Sequence, residues 1–85
     1  MKFKKNIKKT KLSAKVSGGN IGTTRSIVYD VIKDDKIIGE ICQSTYYSWT
    51  GVETSFMIYD FSRTSGRRWE DVESFDSGKK YFLDK

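Results

Sequence analysis

The chain has 85 residues, no proline and no histidine, and its length fits one small domain that buries only about 60–65% of its unfolded surface. Its 13 Ile and Val and 12 aromatic residues outweigh five Ala, Leu and Met, which excludes an all-helical bundle and favours pleated sheet. Net charge is +5, and no apolar run approaches the ~20 residues of a membrane-crossing helix.

That net charge hides an asymmetry. Met1 to Tyr29 carries eight basic residues and no acid: Lys2, Lys4, Lys5, Lys8, Lys9, Lys11, Lys15 and Arg25. From Asp30 onward, eight basic residues face eleven acidic ones. A lysine-rich start attracts polyanions, of which nucleic acid is the usual one in a cytoplasm. The rival readings are a solvated tail that aids solubility and contact with an acidic protein surface. No hydrophobic segment follows the charged start, so it does not read as a secretory signal. Phe3, Ile7 and Leu12 are too sparse for an apolar helix face on a membrane. A single cysteine, Cys42, fits a reducing, cytoplasmic setting.

In chain order, residues 1–10 read as a basic N-terminal arm and residues 11–85 as a single domain of sheet plus helix. Lys11 to Ser17 alternates as a strand, with Leu12, Ala14 and Val16 on one face. Ser17 to Thr24 is rich in Gly, Ser, Asn and Thr and reads as a loop. Arg25 to Lys33 is the clearest strand, with Ile27, Tyr29 and Val31 opposite Val28 and Ile32. Asp34 and Asp35 mark a hairpin turn, and Ile37 to Ser44 returns as its partner strand. Gly39 within that strand suggests a bulge or a close backbone approach. Thr45 to Glu53 reads as a polar-aromatic loop, Thr54 to Phe61 as a strand, Ser62 to Gly66 as a turn, and Arg67 to Glu73 as another strand. Ser74 or Asp76 can cap a terminal helix that docks through Phe75, Tyr81, Phe82 and Leu83, with Gly78 allowing close approach.

The expected fold class is α+β: a small antiparallel sheet of four to five strands with one C-terminal helix and a basic N-terminal arm. Ile27, Val31, Ile41, Phe56, Ile58 and Phe82 are the expected core beneath the helix. Apolar residues on both sheet faces call for a cover on the second face. A second protomer, the folded-back N-terminal segment or a ligand would serve, and a homodimer is the expected state.

Chemistry is limited by what the chain lacks. Without histidine there is no Ser-His or Cys-His nucleophile, and one cysteine cannot build a zinc site of the usual ligands. Gly18 to Gly22 has the wrong spacing for a phosphate loop. We therefore expect a non-enzymatic protein with no cofactor and no metal. Aromatic and arginine residues interleave: Tyr46, Tyr47, Trp49, Tyr59 and Trp69 with Arg63, Arg67 and Arg68. Bases of single strands stack on such rings and guanidinium planes. Tyr59 and Trp69 read more readily as core residues, whereas contact and loop packing are evenly matched for Tyr46, Tyr47 and Trp49. The arginines around Gly66 suit a phosphate, or ion pairs to Glu70, Asp71 or Glu73. That acidic group, with Asp76, suits a cation, a basic partner or a solvated strand edge. Cys42 reads as a small buried apolar group.

The stretch from Ile27 to Ile41 (IVYDVIKDDKIIGEI) and the ending from Phe75 to Lys85 (FDSGKKYFLDK) resemble small early proteins of large tailed bacteriophages. The likeness covers residues 25–85. It implies a β-meander followed by a short helix, and a counter-defence role against a host nuclease or a toxin ribonuclease. The strand-strand-strand-helix order is also similar to the sheet-type DNA-binding domains of integrases and plant transcription factors, which insert a sheet into the major groove. The favoured expectation is a nucleic-acid-binding protein that prefers RNA, acting with it on a host target. A sheet-type DNA binder and a pure protein-protein inhibitor using a strand edge are the alternatives.

Overall fold

Among the described residues the chain forms six strands, most of them alternating apolar and polar residues, and then one helix. In the computed structural model these are β1 (Lys2–Lys5), β2 (Lys11–Ser17), β3 (Asn20–Lys33), β4 (Lys36–Ser48), β5 (Gly51–Asp60), β6 (Trp69–Val72) and α1 (Phe75–Leu83). The structure describes residues 1–17, 20–64, 66 and 68–84, with residues 11–21 described by backbone alone. The fold is an α+β domain: one antiparallel sheet followed by one C-terminal helix.

The sheet runs β1-β3-β4-β5-β6, and β2 also pairs with β3. β1 takes Tyr29 to Ile32, while β2 takes Asn20 to Ser26, so the two short strands follow one another along the same edge of β3. Six strands therefore make a sheet five positions wide. Residues 1–10, expected as an arm ahead of the domain, supply an edge strand and the turn after it.

Two expected loops are strand. Across the expected loop from Ser17 to Thr24, β2 runs to Ser17 and β3 already begins at Asn20, and Gly18 and Gly19 lie outside the described residues. Across the expected loop from Thr45 to Glu53, β4 runs to Ser48 and β5 starts at Gly51, leaving Trp49 and Thr50 as the turn. Thr and Tyr fit a pleated surface, and pairing on both sides overrides the polar composition. At the other end, Asp34 and Asp35 have φ of 51° and 63°. Positive φ at both central residues makes the two-residue turn whose twist suits a hairpin, and Asp tolerates that region. The last strand is shorter than expected, Trp69 to Val72.

One face carries the core. Val31, Ile41, Ile58 and Phe82 are buried, with Phe3, Tyr29, Ile38, Val72, Phe75 and Tyr81 packed around them. Ser74 caps α1 by accepting from the Ser77 N–H at 3.1 Å. The helix then docks closely. A Cβ on Gly39 would lie 2.6 Å from the Phe82 ring and 2.5 Å from the Tyr59 carbonyl oxygen, so only glycine admits that ring. Gly78 sits directly over Ile41 and Ile58, where a Cβ would come within 3.2 Å of both. The pairing register also slips between Val31 and Ile32, so the bulge expected near Gly39 is present.

Ile27 and Phe56 occupy the helix-side face, yet both are only half-buried. A nine-residue helix spans only about 14 Å, and it stops short of them. They are a correction to the expected core. Phe82→Ala should cost about 3–5 kcal/mol, and Phe56→Ala clearly less. Urea melts of the two variants check this, and equal losses would contradict the placement.

Candidate nucleic-acid interface

Seven lysines between Met1 and Ser17 lie along one edge of the sheet, because β1, the Asn6–Thr10 turn and β2 all run beside β3. Lys2, Lys4 and Lys5 are exposed in β1, and Lys8 and Lys9 are exposed in the turn. Lys11 and Lys15 stand opposite Ser26 and Gly22 in the ladder. At about 3.3 Å per residue, the edge extends for roughly 40 Å or more. β6 at the far edge has the opposite sign, with Glu70 and Asp71 both exposed.

The turn is tied to the sheet at both ends. The Asn6 N–H donates to the Val28 carbonyl at 2.7 Å, and the Val28 N–H donates to the Thr10 hydroxyl at 3.4 Å. Asn6 Nδ2 donates to Asp30 Oδ2 at 3.1 Å, while Asp30 Oδ1 is buried without a partner. Lys9 reaches past β3 to donate to Glu40 on β4. That hydrogen bond, followed by the attraction of the Glu40 charge, holds the Lys9 ammonium above its ordinary pKa. Lys9 is thus engaged within the chain, unlike the phosphate contact expected of it. The folded-back turn covers part of the face opposite the helix, and Val28 there is buried. Its neighbour Cys42 is half-buried rather than enclosed; burial, then the Glu40 charge, pushes its thiol pKa up.

The aromatic and arginine candidates do not converge. The register sets Trp49 and Thr50 at one end of the sheet and the β5–β6 connection at the other. Trp49 is 79% exposed at its hairpin tip, and Tyr47 is exposed beside it on β4. Tyr46 points to the opposite face and lays its ring where a Cβ on Gly22 would be, 2.2 Å from the Tyr46 hydroxyl oxygen. Tyr46 is therefore a packing residue across β3 and β4. Arg25 is exposed, opposite Thr45. Tyr59 and Trp69 face each other on β5 and β6 on the side away from the helix, so neither belongs to the core beneath it. Tyr59 stacks edge-on with Phe61, with centroids 5.3 Å apart.

Arg63 is held internally. It donates to Glu70 at 2.9 Å, lies 4.0 Å from Asp60 and sits 5.4 Å over the Tyr81 ring. The hydrogen bond to Glu70 is the main reason its pKa is raised. Of its two expected partners, phosphate and carboxylate, the chain supplies the carboxylate. Arg68 is exposed, and Arg67 lies outside the described residues. Asp60, buried to 1% exposure, accepts from the Ser62 N–H at 2.9 Å, the Ser62 hydroxyl at 2.7 Å and the Tyr81 hydroxyl at 2.7 Å. This hub ties the β5–β6 connection to α1. Sequence reasoning passed over it because nothing in the spacing of Asp60 and Tyr81 announces a contact 21 residues apart. Among the described residues, no group of three acidic or cysteine side chains is placed to hold a metal ion.

Comparison with protein-family models, with curated proteins and with solved structures finds no match for this chain.

Burial, then the hydrogen bond to Asp60, raises the Tyr81 phenol above its ordinary pKa. The unfolded chain therefore releases this proton first, and stability should fall as pH rises past about 10. Tyr81→Phe should cost about 1–3 kcal/mol at neutral pH, because Asp60 loses a donor while buried. Its stability should also fall less steeply than wild type between pH 9 and 11. Chemical melts across that range check both effects, and parallel pH profiles would contradict the raised pKa.

Proposed function

We propose that this chain is a non-enzymatic nucleic-acid-binding protein that prefers RNA and grips phosphates along its lysine edge. The observation that carries the reading is the placement of seven lysines, with no acid among them, on β1, β2 and the turn between them, all beside β3. Phosphate contacts from such a row are long-ranged and independent of sequence. Trp49 at the hairpin tip lies at the same end of the sheet as Lys15, since Lys15, Gly22, Ser48 and Gly51 follow one another across the ladder. An exposed ring beside a cationic edge favours single strands, whose bases are free to stack. Arg63, Tyr46 and Lys9 drop out of the contact set, as each is engaged within the chain. The phage likeness supports a counter-defence role in the host cytoplasm, with bound RNA as part of the inhibitory complex.

Deleting residues 1–10 is not a clean test, because it strips β1 from β3 and removes Phe3 from the core margin. Substitution is cleaner. If about five lysines meet phosphates, log affinity should fall against log salt with a slope near −4, at roughly 0.7–0.9 per contact. Changing Lys2, Lys4 and Lys5 to Gln together should flatten that slope by about 2–3. Trp49→Ala should leave the slope alone while weakening single-strand binding by about 1–3 kcal/mol. Fluorescence anisotropy on single- and double-stranded RNA and DNA reads all of these. An unchanged slope in the triple variant overturns the lysine-edge reading.

A further inference from the structure

The two outer strands of the sheet are opposite in charge and alike in pattern. β1 presents Lys2 and Lys4 on the face away from the helix and Phe3 on the helix side, because Lys4 pairs with Asp30 and Phe3 with Val31. β6 presents Asp71 on the face away from the helix and Val72 on the helix side, since Asp71 pairs with Met57 and Val72 with Phe56. Glu73 follows in the exposed bend between β6 and α1. Each strand is the last in the sheet order at its edge, and Lys2, Lys4, Asp71 and Glu73 are all exposed.

An edge strand is a template for a further strand, and charge decides which one it accepts. Two β1 edges brought together place lysine against lysine, and two β6 edges place carboxylate against carboxylate. Both self-facing closures are therefore repelled. The pairing of opposite sign joins β6 of one copy to β1 of the next, and its charge, apolar pattern and face all match in one register.

We propose that copies of this chain associate head to tail through these two edges. β6 of one copy extends in parallel beside β1 of the next, with both helices on the same side. In that register Asp71 lies beside Lys2, Val72 beside Phe3 and Glu73 beside Lys4. The contact joins two different surfaces, so it does not close into a twofold dimer and grows open chains with concentration. Only Asp71 and Val72 of β6 lie beside strand residues of β1 in this register, with Glu73 beyond the strand, so the contact is weak and sensitive to salt. Nucleic acid on the lysine edge competes with it. The inference does not depend on the nucleic-acid reading, since it needs only the two edges.

The test is sedimentation velocity on protein freed of nucleic acid by nuclease and high salt, with the absorbance ratio checked. The average mass should rise as concentration increases from about 10 to about 500 µM in about 25 mM salt, and return to monomer in about 0.5 M salt, where screening is within a few ångströms. The variant carrying Lys2→Glu and Lys4→Glu should stay monomeric, as should the variant carrying Asp71→Lys and Glu73→Lys. All four positions are exposed, and melting curves verify folding. An equimolar mixture of the two variants should associate again, because each then offers the edge the other lacks. A wild type that is monomeric throughout overturns the proposal. So does association that persists in both variants, or a mixture that stays monomeric.

Discussion

Everything in this fold hangs on how closely one short helix approaches the sheet. The Phe82 ring lies where any side chain at position 39 would stand, and Gly78 brings the helix backbone down onto Ile41 and Ile58. Those contacts bury four side chains completely or nearly so. The hub at Asp60 then fixes the direction of the helix, because Tyr81 and the β5–β6 connection share one buried carboxylate. Strands of 14 and 13 residues are anchored at one end only, and their far ends depend on pairing and on cross-strand packing such as Tyr46 over Gly22.

The anchoring explains where the charged residues go. A helix that covers one end of one face leaves most of the sheet without a helix over it, and the N-terminal residues join that sheet as an edge strand and a turn over part of the other face. Lysines that read as a loose arm in the sequence become a row held by β1, the turn after it and β2. Fixing them in a row costs mutual repulsion, which a bound polyanion relieves. Lys9 marks a limit to this picture. It leans inward to Glu40, so the row is not uniformly available.

Periodicity made much of the fold legible. Leu12, Ala14 and Val16 marked β2, and Ile27, Tyr29 and Val31 marked the helix-side face of β3. The Ser74 cap, the Asp34-Asp35 turn and the role of Gly39 were readable because each is a local rule of backbone chemistry. What was not legible depended on distant partners. Thr23, Thr24, Thr45 and Tyr46 look like loop residues until β2, β3, β4 and β5 pair around them. Lys2 to Lys5 holds a single apolar residue, too few to show alternation. The separation of Trp49 from Arg63 and Arg68 follows from the hairpin register, which sequence spacing alone does not reveal. Ile27 and Phe56 were placed on the right face, but the reach of the helix decides burial.

The most direct measurement of the central claim is purification at low salt without nuclease, followed by the ratio of absorbance at 260 to 280 nm before and after RNase or DNase. A cationic edge that grips nucleic acid in the cell predicts a ratio well above that of pure protein, falling on RNase treatment and not on DNase. A protein-like ratio from the start, with no change under either enzyme, would contradict the account.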